Sequence, residues 1–554
     1  MAESFDYDVV IIGSGVAGAL AAWKLAQAEF KVLILEAGEG GEPRVNLVGH
    51  YAMAMAKTPH SPYVSAENDA KVPSPDKPDD YDQPAAPNPQ YKSTYERRVG
   101  GSTWHWLGHT PRLIPNDFRL HSAYGVGVDW PISYLDLEPW YCAAEEALGV
   151  AGDSEAWQGI LGGYRSRPFP MGKIWPSYSD LKVAQIIDGQ MLNGVEIQVL
   201  STPSARNSQA YDGRPPCAGN SICVPICPIQ AKYDATVHIA KAKKAGAQIR
   251  EKAVDTRLEV GPDTRIKHVV YKSWDNQEHT VSGRIVILAA NAIETAKLLL
   301  MSASDALPCG VANSSDQVGR NLMDHLQKTV IATSPEPLFP FRGPPSTSGI
   351  EAFRDGEIRR TRSAFRLSLG NDGWSRIDAP NSNVRELVSQ ENMFGEALRQ
   401  RLRSQVQSQF RMSFSTEVLP RSENRVTPSE QKKDALGIPI PKIAFQPEPY
   451  TTQGFQAALD AIDFILNKIQ AQKKDYGDPP LSYSGAGHVM GTCRMGSDPN
   501  HSVVNAQCRA HDHPNLYVLG AGVFPTCGTA NPTLTLAALT LRSTEAIAAQ
   551  LKGR

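Results

Sequence analysis

The sequence predicts an α/β protein in which a Rossmann-like dinucleotide-binding domain is interleaved along the chain with a β-sheet substrate-binding domain. Three observations predict it. Near the N-terminus a buried-strand run leads through a glycine turn into a helical period, and the strand-then-helix pattern returns in the second half of the chain and at its end. The stretches between carry short alternating runs.

The first element, Tyr7 to Ile12 (YDVVII), is a β-branched run ending in glycine, the pattern of a strand covered on both faces. Gly13, Gly15 and Gly18 follow as G-x-G-x-x-G. Ala17 to Ala28 then has apolar residues at helical spacing, and Lys31 to Leu35 (KVLIL) reads as a second buried strand with Glu36 at its end. Strand, glycine turn, helix and an acid about 20 residues on form the dinucleotide fingerprint in its required context. The glycines permit the tight turn, the approach of a pyrophosphate to the helix N-terminus, and close helix–strand packing; Glu36 can accept hydrogen bonds from a ribose. These residues alone do not separate FAD from NAD.

Residues 51–90 read as a loop or lid, because Val72 to Gln90 is dense in Pro and Asp and has no apolar period. Pro131 to Leu200 and Pro340 to Pro480 are mixed, with alternating stretches such as Gln409 to Val418 that suit a half-buried antiparallel sheet. Arg284 to Ala290 (RIVILAA), with Ala292 to Met301 at helical spacing, is another strand and helix of the nucleotide half. Leu516 to Leu519 and the helix from Leu534 to Ile547 close the chain in the same way. The expected division is 1–50, 91–130, 205–330 and 481–554 for the nucleotide domain, and 131–204 and 331–480 for the substrate domain.

A chain of 554 residues exceeds what one small core needs, and a net charge of -2 offers no basic surface for nucleic acid. The segment Met1 to Asp8 has no basic region followed by an apolar core, so no secretory signal is expected. No run of about 18 apolar residues is present either, so no membrane span is expected.

Eight cysteines are too few for a disulfide framework, yet three of them, Cys217, Cys223 and Cys227, form C-x5-C-x3-C with Pro228 directly after. Three thiolates suit a [3Fe-4S] cluster, or a four-iron cluster or zinc completed by another ligand. Three unrelated buried thiols is the plainer reading. Near the C-terminus His488 lies in HVMGTCRMG and Asn531 in GTANPTLT. A neutral imidazole there could take a hydroxyl proton and an amide could orient the same oxygen; singly, each also reads as an ordinary hydrogen-bonding histidine and an asparagine N-cap.

Together, IIGSGVAGALAA with Glu36, VGGSTWHW (Val99 to Trp106), DWPISYLDLEPWY (Asp129 to Tyr141), VGRNLMDH (Val318 to His325), HVMGTCRMG and the NPTLT ending resemble the glucose-methanol-choline (GMC) oxidoreductases along nearly the whole chain. The resemblance implies an FAD-binding domain of the GMC/p-hydroxybenzoate hydroxylase type, and FAD over NAD. It implies the glycine turn on the pyrophosphate, the segment Gly100, Gly101 and Ser102 beside the flavin, and Val254, Ala290, Gly522 and Thr533 among the cofactor-binding positions. It implies a catalytic pair of the His-Asn type: His488 removes a hydroxyl proton as hydride passes to flavin N5, and Asn531 holds the substrate oxygen. His105 stands where pyranose oxidases and some relatives bond a histidine covalently to the flavin; an aromatic-packed histidine is the alternative.

Within the family, the cysteine run with ARNSQAYDGRPPC and CPIQAKYDATVHI resembles the catalytic subunits of bacterial FAD-dependent sugar dehydrogenases, those acting on glucose, fructose, gluconate and glucosides. That implies a sugar or glycoside substrate and a [3Fe-4S] cluster on Cys217, Cys223 and Cys227 that passes electrons to a c-type cytochrome subunit. It also implies a small chaperone-like partner that carries the export signal, and so a periplasmic enzyme, a cytoplasmic one being the alternative. The chain departs from the glucose and fructose enzymes by having Gly487-His488-Val489-Met490 and NPTLT where they tend to have NNHITG and NVTLT. Both departures lean toward pyranose-2-oxidase-like patterns, so oxidation at C2 or C3 competes with C1. Two other classes stay open: a sugar oxidase using oxygen, which needs no cluster, and an electron-relay flavoprotein, which has no use for His488 and Asn531.

Overall fold

The computed structural model describes residues 5–54, 81–83, 91, 93, 95–372, 381–477 and 482–553. Most of the expected loop at 51–90 therefore lies outside the described residues. Five parallel strands make the first sheet, in the spatial order Leu516–Val518, Gly283–Leu288, Tyr7–Ile12, Val32–Leu35, Gln248–Arg250. Val9, Val10 and Ile11 at its centre are fully buried, as a parallel sheet covered on both faces requires. The helix Val16–Gln27 packs between Thr236–Lys244 and the C-terminal helix Thr533–Leu551. An antiparallel meander, Ala253–Val260, Ile266–Ser273 and Glu278–Val281, carries the chain from the edge of this sheet back to Gly283.

The second sheet has seven strands, all antiparallel, in the order Gln472–Asp475, Leu326–Thr333, Gln409–Thr416, Phe365–Gly370, Ser348–Ile350, Val199–Ser201, with Ser484–Gly485 also pairing with Leu326–Thr333. Side chains of Gln409–Thr416 alternate strictly between half-buried and buried, the period of 2 that the sequence predicts there. Its buried set includes Met412 and Phe414, and the Phe414 ring meets Phe455 of the helix Pro449–Lys468 at 4.8 Å. The other set faces the nucleotide sheet.

Two elements fall differently from the expected division. Leu326–Thr333 belongs wholly to the second sheet, so the crossover comes before residue 331. The helix Tyr134–Leu148, capped by Ser133, lies against Thr533–Leu551, where the Tyr141 hydroxyl meets Thr535 Oγ1 at 2.8 Å; it travels with the nucleotide half. Its apolar face is covered in part by the C-terminal helix, a pairing that periodicity cannot show. Among the described residues no helix is long and apolar enough to cross a membrane.

Candidate active site

One cavity of about 930 Å³ runs between the two sheets, at the upper end of the usual size for a ligand site. Its first wall is the glycine turn. Gly13 has φ +97°, and a Cβ there would come within 2.6 Å of the Ala289 oxygen. A Cβ on Gly18 would sit 1.9 Å from the Gly13 oxygen, so the helix closes onto the strand only because that residue has no side chain. Gly15 differs: a Cβ there would meet nothing within 4 Å, because the residue faces the open cavity at the start of Val16–Gln27. That cradle, backed by unpartnered amides of a helix N-terminus, fits a pyrophosphate.

Glu36 is 5% exposed and its carboxylate accepts from the Ser14 amide at 3.0 Å and the Gly38 amide at 2.9 Å. Burial pushes its pKa up while these donors pull it down. The residue thus holds the turn together as well as lining the cavity. Gly100 donates its amide to Ser14 Oγ at 3.1 Å, which docks the segment Gly100, Gly101, Ser102 onto the glycine turn. Gly101, Ser102, His105, Val254, Ala290 and Thr533 line the cavity. Gly18, Gly100 and Gly522 support it from behind, Gly522 against Ala292 and Thr492. His105 Nδ1 lies 3.6 Å from Glu96 Oε1, and its side chain is 18% exposed.

His488 and Asn531 meet at the cavity wall, with Asn531 Nδ2 3.1 Å from His488 Nε2. Asn531 is not the N-cap of the following helix; Pro532 is, and the amide is aimed at the imidazole instead. Behind His488 stands His325, whose Nδ1 is 2.8 Å from His488 Nδ1 and whose Nε2 is 3.0 Å from the Gly528 oxygen. A carbonyl only accepts, so His325 carries its proton on Nε2. Burial holds His325 neutral, its pKa pushed down to about 4, so its Nδ1 is a bare acceptor. His488 must then donate from Nδ1, and the lone pair of its Nε2, at the cavity wall, accepts from Asn531 Nδ2. Burial, and then His325 beside it, push the His488 pKa well below the ordinary range, so it too is neutral. Asp324 accepts from the His488 amide at 2.9 Å and the Ala486 amide at 3.1 Å, and burial lifts its carboxyl to about 6.

The opposite wall is the second sheet. Its register places Gln327, Ser415 and Arg366 in one row and Ser413 and Ser368 in the next, all lining the cavity. Arg366 Nε donates to Glu351 at 2.6 Å and its Nη2 to Thr202 at 2.7 Å; Arg411 pairs with Asp372. Arg97, at the other end, is flanked by Glu294 and Asp434. Each arginine lining the cavity therefore has a carboxylate partner. His109, 4% exposed and kept neutral by burial and then by Arg366 and Arg206, also lines it, and its buried Nε2 has no hydrogen-bond partner among the described residues.

Cys217, Cys223 and Cys227 line a separate void of about 10 Å³ together with Arg206. Among the described residues no group of three or more His, Cys, Asp and Glu is gathered to hold a metal ion. One ion draws its ligands to a single point, whereas a cluster offers a separate iron to each thiolate, so the donor set fits a cluster in kind. The void has room for about one water, so a cluster there requires the loop to widen. Val224, next to Cys223, lines the large cavity, and Lys232 binds the loop to the back of its wall through the Trp104 oxygen at 2.8 Å and the Trp106 oxygen at 2.7 Å.

Asp324, His325, His109 and the serine face are site residues that the sequence analysis did not single out. VGRNLMDH was a signal for the first two; nothing local marks the serines, whose convergence depends on register.

Comparison with known proteins shows the family and the fold. Residues 178–327 and 420–540 match the family described as GMC oxidoreductase, and residues 8–44 match FAD dependent oxidoreductase. The chain is 35% identical to the fructose dehydrogenase large subunit of Gluconobacter japonicus over 99% of both chains. It is 27% identical to 2-methyl-1,2-propanediol dehydrogenase of Mycolicibacterium austroafricanum, over 97% of this chain and 94% of the other. A formate oxidase variant from Aspergillus oryzae RIB40 shares the fold, with a TM-score of 0.63 at 16% identity over 99% of both chains. The chain belongs to the GMC oxidoreductase family and is an FAD-dependent oxidoreductase.

Proposed function

We propose that this chain is a dehydrogenase of an uncharged sugar or glycoside, and that it hands its electrons on through a [3Fe-4S] cluster. The observation that carries the first part is the lone pair of His488 Nε2, presented beside the Asn531 amide across one cavity from a wall of hydroxyl, amide and guanidinium groups. FAD, when bound along the glycine turn, supplies the hydride acceptor. With a substrate hydroxyl inserted between the two side chains, Asn531 Nδ2 turns from His488 Nε2 to donate to the hydroxyl oxygen and fix it, and the freed Nε2 lone pair takes the hydroxyl proton. Ser413, Ser415, Ser368 and Gln327 bond the remaining hydroxyls, and the unpartnered Nε2 of His109 has the right chemistry to join them.

The pairing of Arg366 with Glu351 and of Arg411 with Asp372 leaves each pair without net charge toward the cavity, which favours neutral sugars over sugar acids. The 35% identity to a fructose dehydrogenase subunit supports the same substrate class. Anaerobic addition of neutral sugars, sugar acids and simple alcohols, followed by flavin absorbance, tests this: neutral sugars should bleach the flavin at the lowest concentrations. Bleaching by sugar acids or simple alcohols alone would reject it. The carbon oxidised is read from NMR of the product.

The cluster reading rests on Cys217, Cys223 and Cys227 around one void, one residue away from the flavin cavity through Val224. Cys217, Cys223 and Cys227 would hold a three-iron cluster, which would supply one-electron acceptance toward a c-type cytochrome subunit; a small partner subunit would escort the enzyme to the periplasm. EPR of the oxidised protein should show a spin-active iron signal that is lost in Cys223→Ala; silence, with no iron bound, would favour a GMC oxidase using oxygen. His105, beside the flavin position, is the residue for any covalent link, which a flavin-sized mass increment on denatured protein would reveal.

A further inference from the structure

We infer that His325 is the positioning residue that fixes the tautomer of His488. This rests on the reading of His488 as the base. The hydrogen-bond chain runs from the Gly528 oxygen through both rings to Asn531, and its two ends set one polarity. At one end is a carbonyl that can only accept; at the other is an amide nitrogen that can only donate. Between them each neutral imidazole has a single arrangement open to it: a proton on Nε2 of His325 and a proton on Nδ1 of His488. The reactive lone pair is thereby held on the nitrogen that faces the cavity.

The rings stand edge to face, with centroids 5.0 Å apart and planes at 87°, and their Nδ1 atoms meet at 2.8 Å. His325 itself is fully buried and cannot reach the cavity past His488. Because the chain ends at a carbonyl, it is not a route for a proton to leave; it orients the base and steadies the cation that forms when His488 takes its second proton. The charged groups facing His325 are consistent with this. Arg354 disfavours a charge on it, the carboxylate of Asp324 is turned to the Ala486 and His488 amides, and Cys527 is a buried neutral thiol whose pKa is raised well above its usual value.

Two substitutions and one spectrum test the assignment on the FAD-loaded protein. His325→Leu fills the space without an acceptor, and His325→Asn returns an acceptor oxygen near the place of Nδ1. Flavin reduction by substrate should slow by about 10²-fold in His325→Leu and recover to within about tenfold of wild type in His325→Asn, with FAD content unchanged. Nitrogen-15 NMR of histidine-labelled wild type, with His488→Ala to assign the signal, should show His488 protonated on Nδ1 alone at neutral pH. Wild-type rates in His325→Leu, an Asn variant as slow as Leu, or a His488 protonated on Nε2 would each overturn the inference. The spectrum reads the tautomer without turnover, so it decides the matter even where His325→Leu fails to fold. A flavin that no sugar or alcohol reduces would defeat the functional reading instead.

Discussion

At the level of single residues, the glycine turn separates two jobs that sequence spacing presents as one motif. Gly15 has φ -63° and open space around it, so alanine fits the protein there and intrudes only where the pyrophosphate lies. Gly15→Ala should therefore keep the melting temperature of the apoprotein and lose FAD. Gly18→Ala, whose Cβ would strike the Gly13 oxygen, should lower that melting temperature itself; equal melting temperatures for the two apoproteins would contradict this. The base makes a pH prediction. His488 and His325 are both held below the ordinary 6.5, so their neutral, working forms persist as pH falls through that value. The first nearby group to take a proton is Asp324, at about 6. Flavin-reduction rates should stay level from neutrality down to about pH 6 and fall below it, whereas a midpoint at 7 or above would mean an exposed, ordinary base. The resemblance named His488 and Asn531 as a pair, but the residues alone did not show the contact between them. Local spacing leaves Asn531 equally readable as an N-cap, and only the fold aims it at the imidazole.

Among the elements, the strand Gln409–Thr416 shows how one local pattern serves two purposes. Its alternation was legible in sequence because a period of 2 needs no neighbours to be recognised. That one face would be core and the other a substrate wall was not, since this depends on pairing with Leu326–Thr333 and Phe365–Gly370. The two faces should respond differently to mutation. Phe414→Ala removes a ring packed on Phe455 and should cost about 3–5 kcal/mol of stability. Ser413→Val keeps a good strand former and should change stability by less than about 1 kcal/mol, while raising KM for the sugar up to about tenfold through one lost hydrogen bond. Denaturant unfolding and steady-state kinetics on the two variants measure both. An unchanged KM in Ser413→Val would remove that serine from the substrate wall. The helix Tyr134–Leu148 was misplaced for the same reason: its amphipathic pattern is local, but its partner lies some 400 residues away, at Thr535.

Across the whole molecule, interleaving is what makes the site. The parallel sheet brings the glycine turn, Ala290 and Gly101 to one side of the cavity, and the antiparallel sheet closes the other. His488 and Asn531 arrive on the returning C-terminal segments that join them. Alternation of strand-and-helix blocks with mixed blocks revealed this architecture in the sequence, because buried parallel strands are continuous apolar runs and half-buried ones are not. Lys232, just past the cysteine run, binds the rear of the cavity wall through the Trp104 and Trp106 oxygens. The central claim is that hydride leaves the substrate only as His488 takes the hydroxyl proton, and anaerobic stopped-flow reduction of His488→Ala tests it most directly. The account predicts a variant that binds FAD as the wild type does and whose flavin is reduced by sugar at least about 10²-fold more slowly; full FAD loading with wild-type reduction would contradict it.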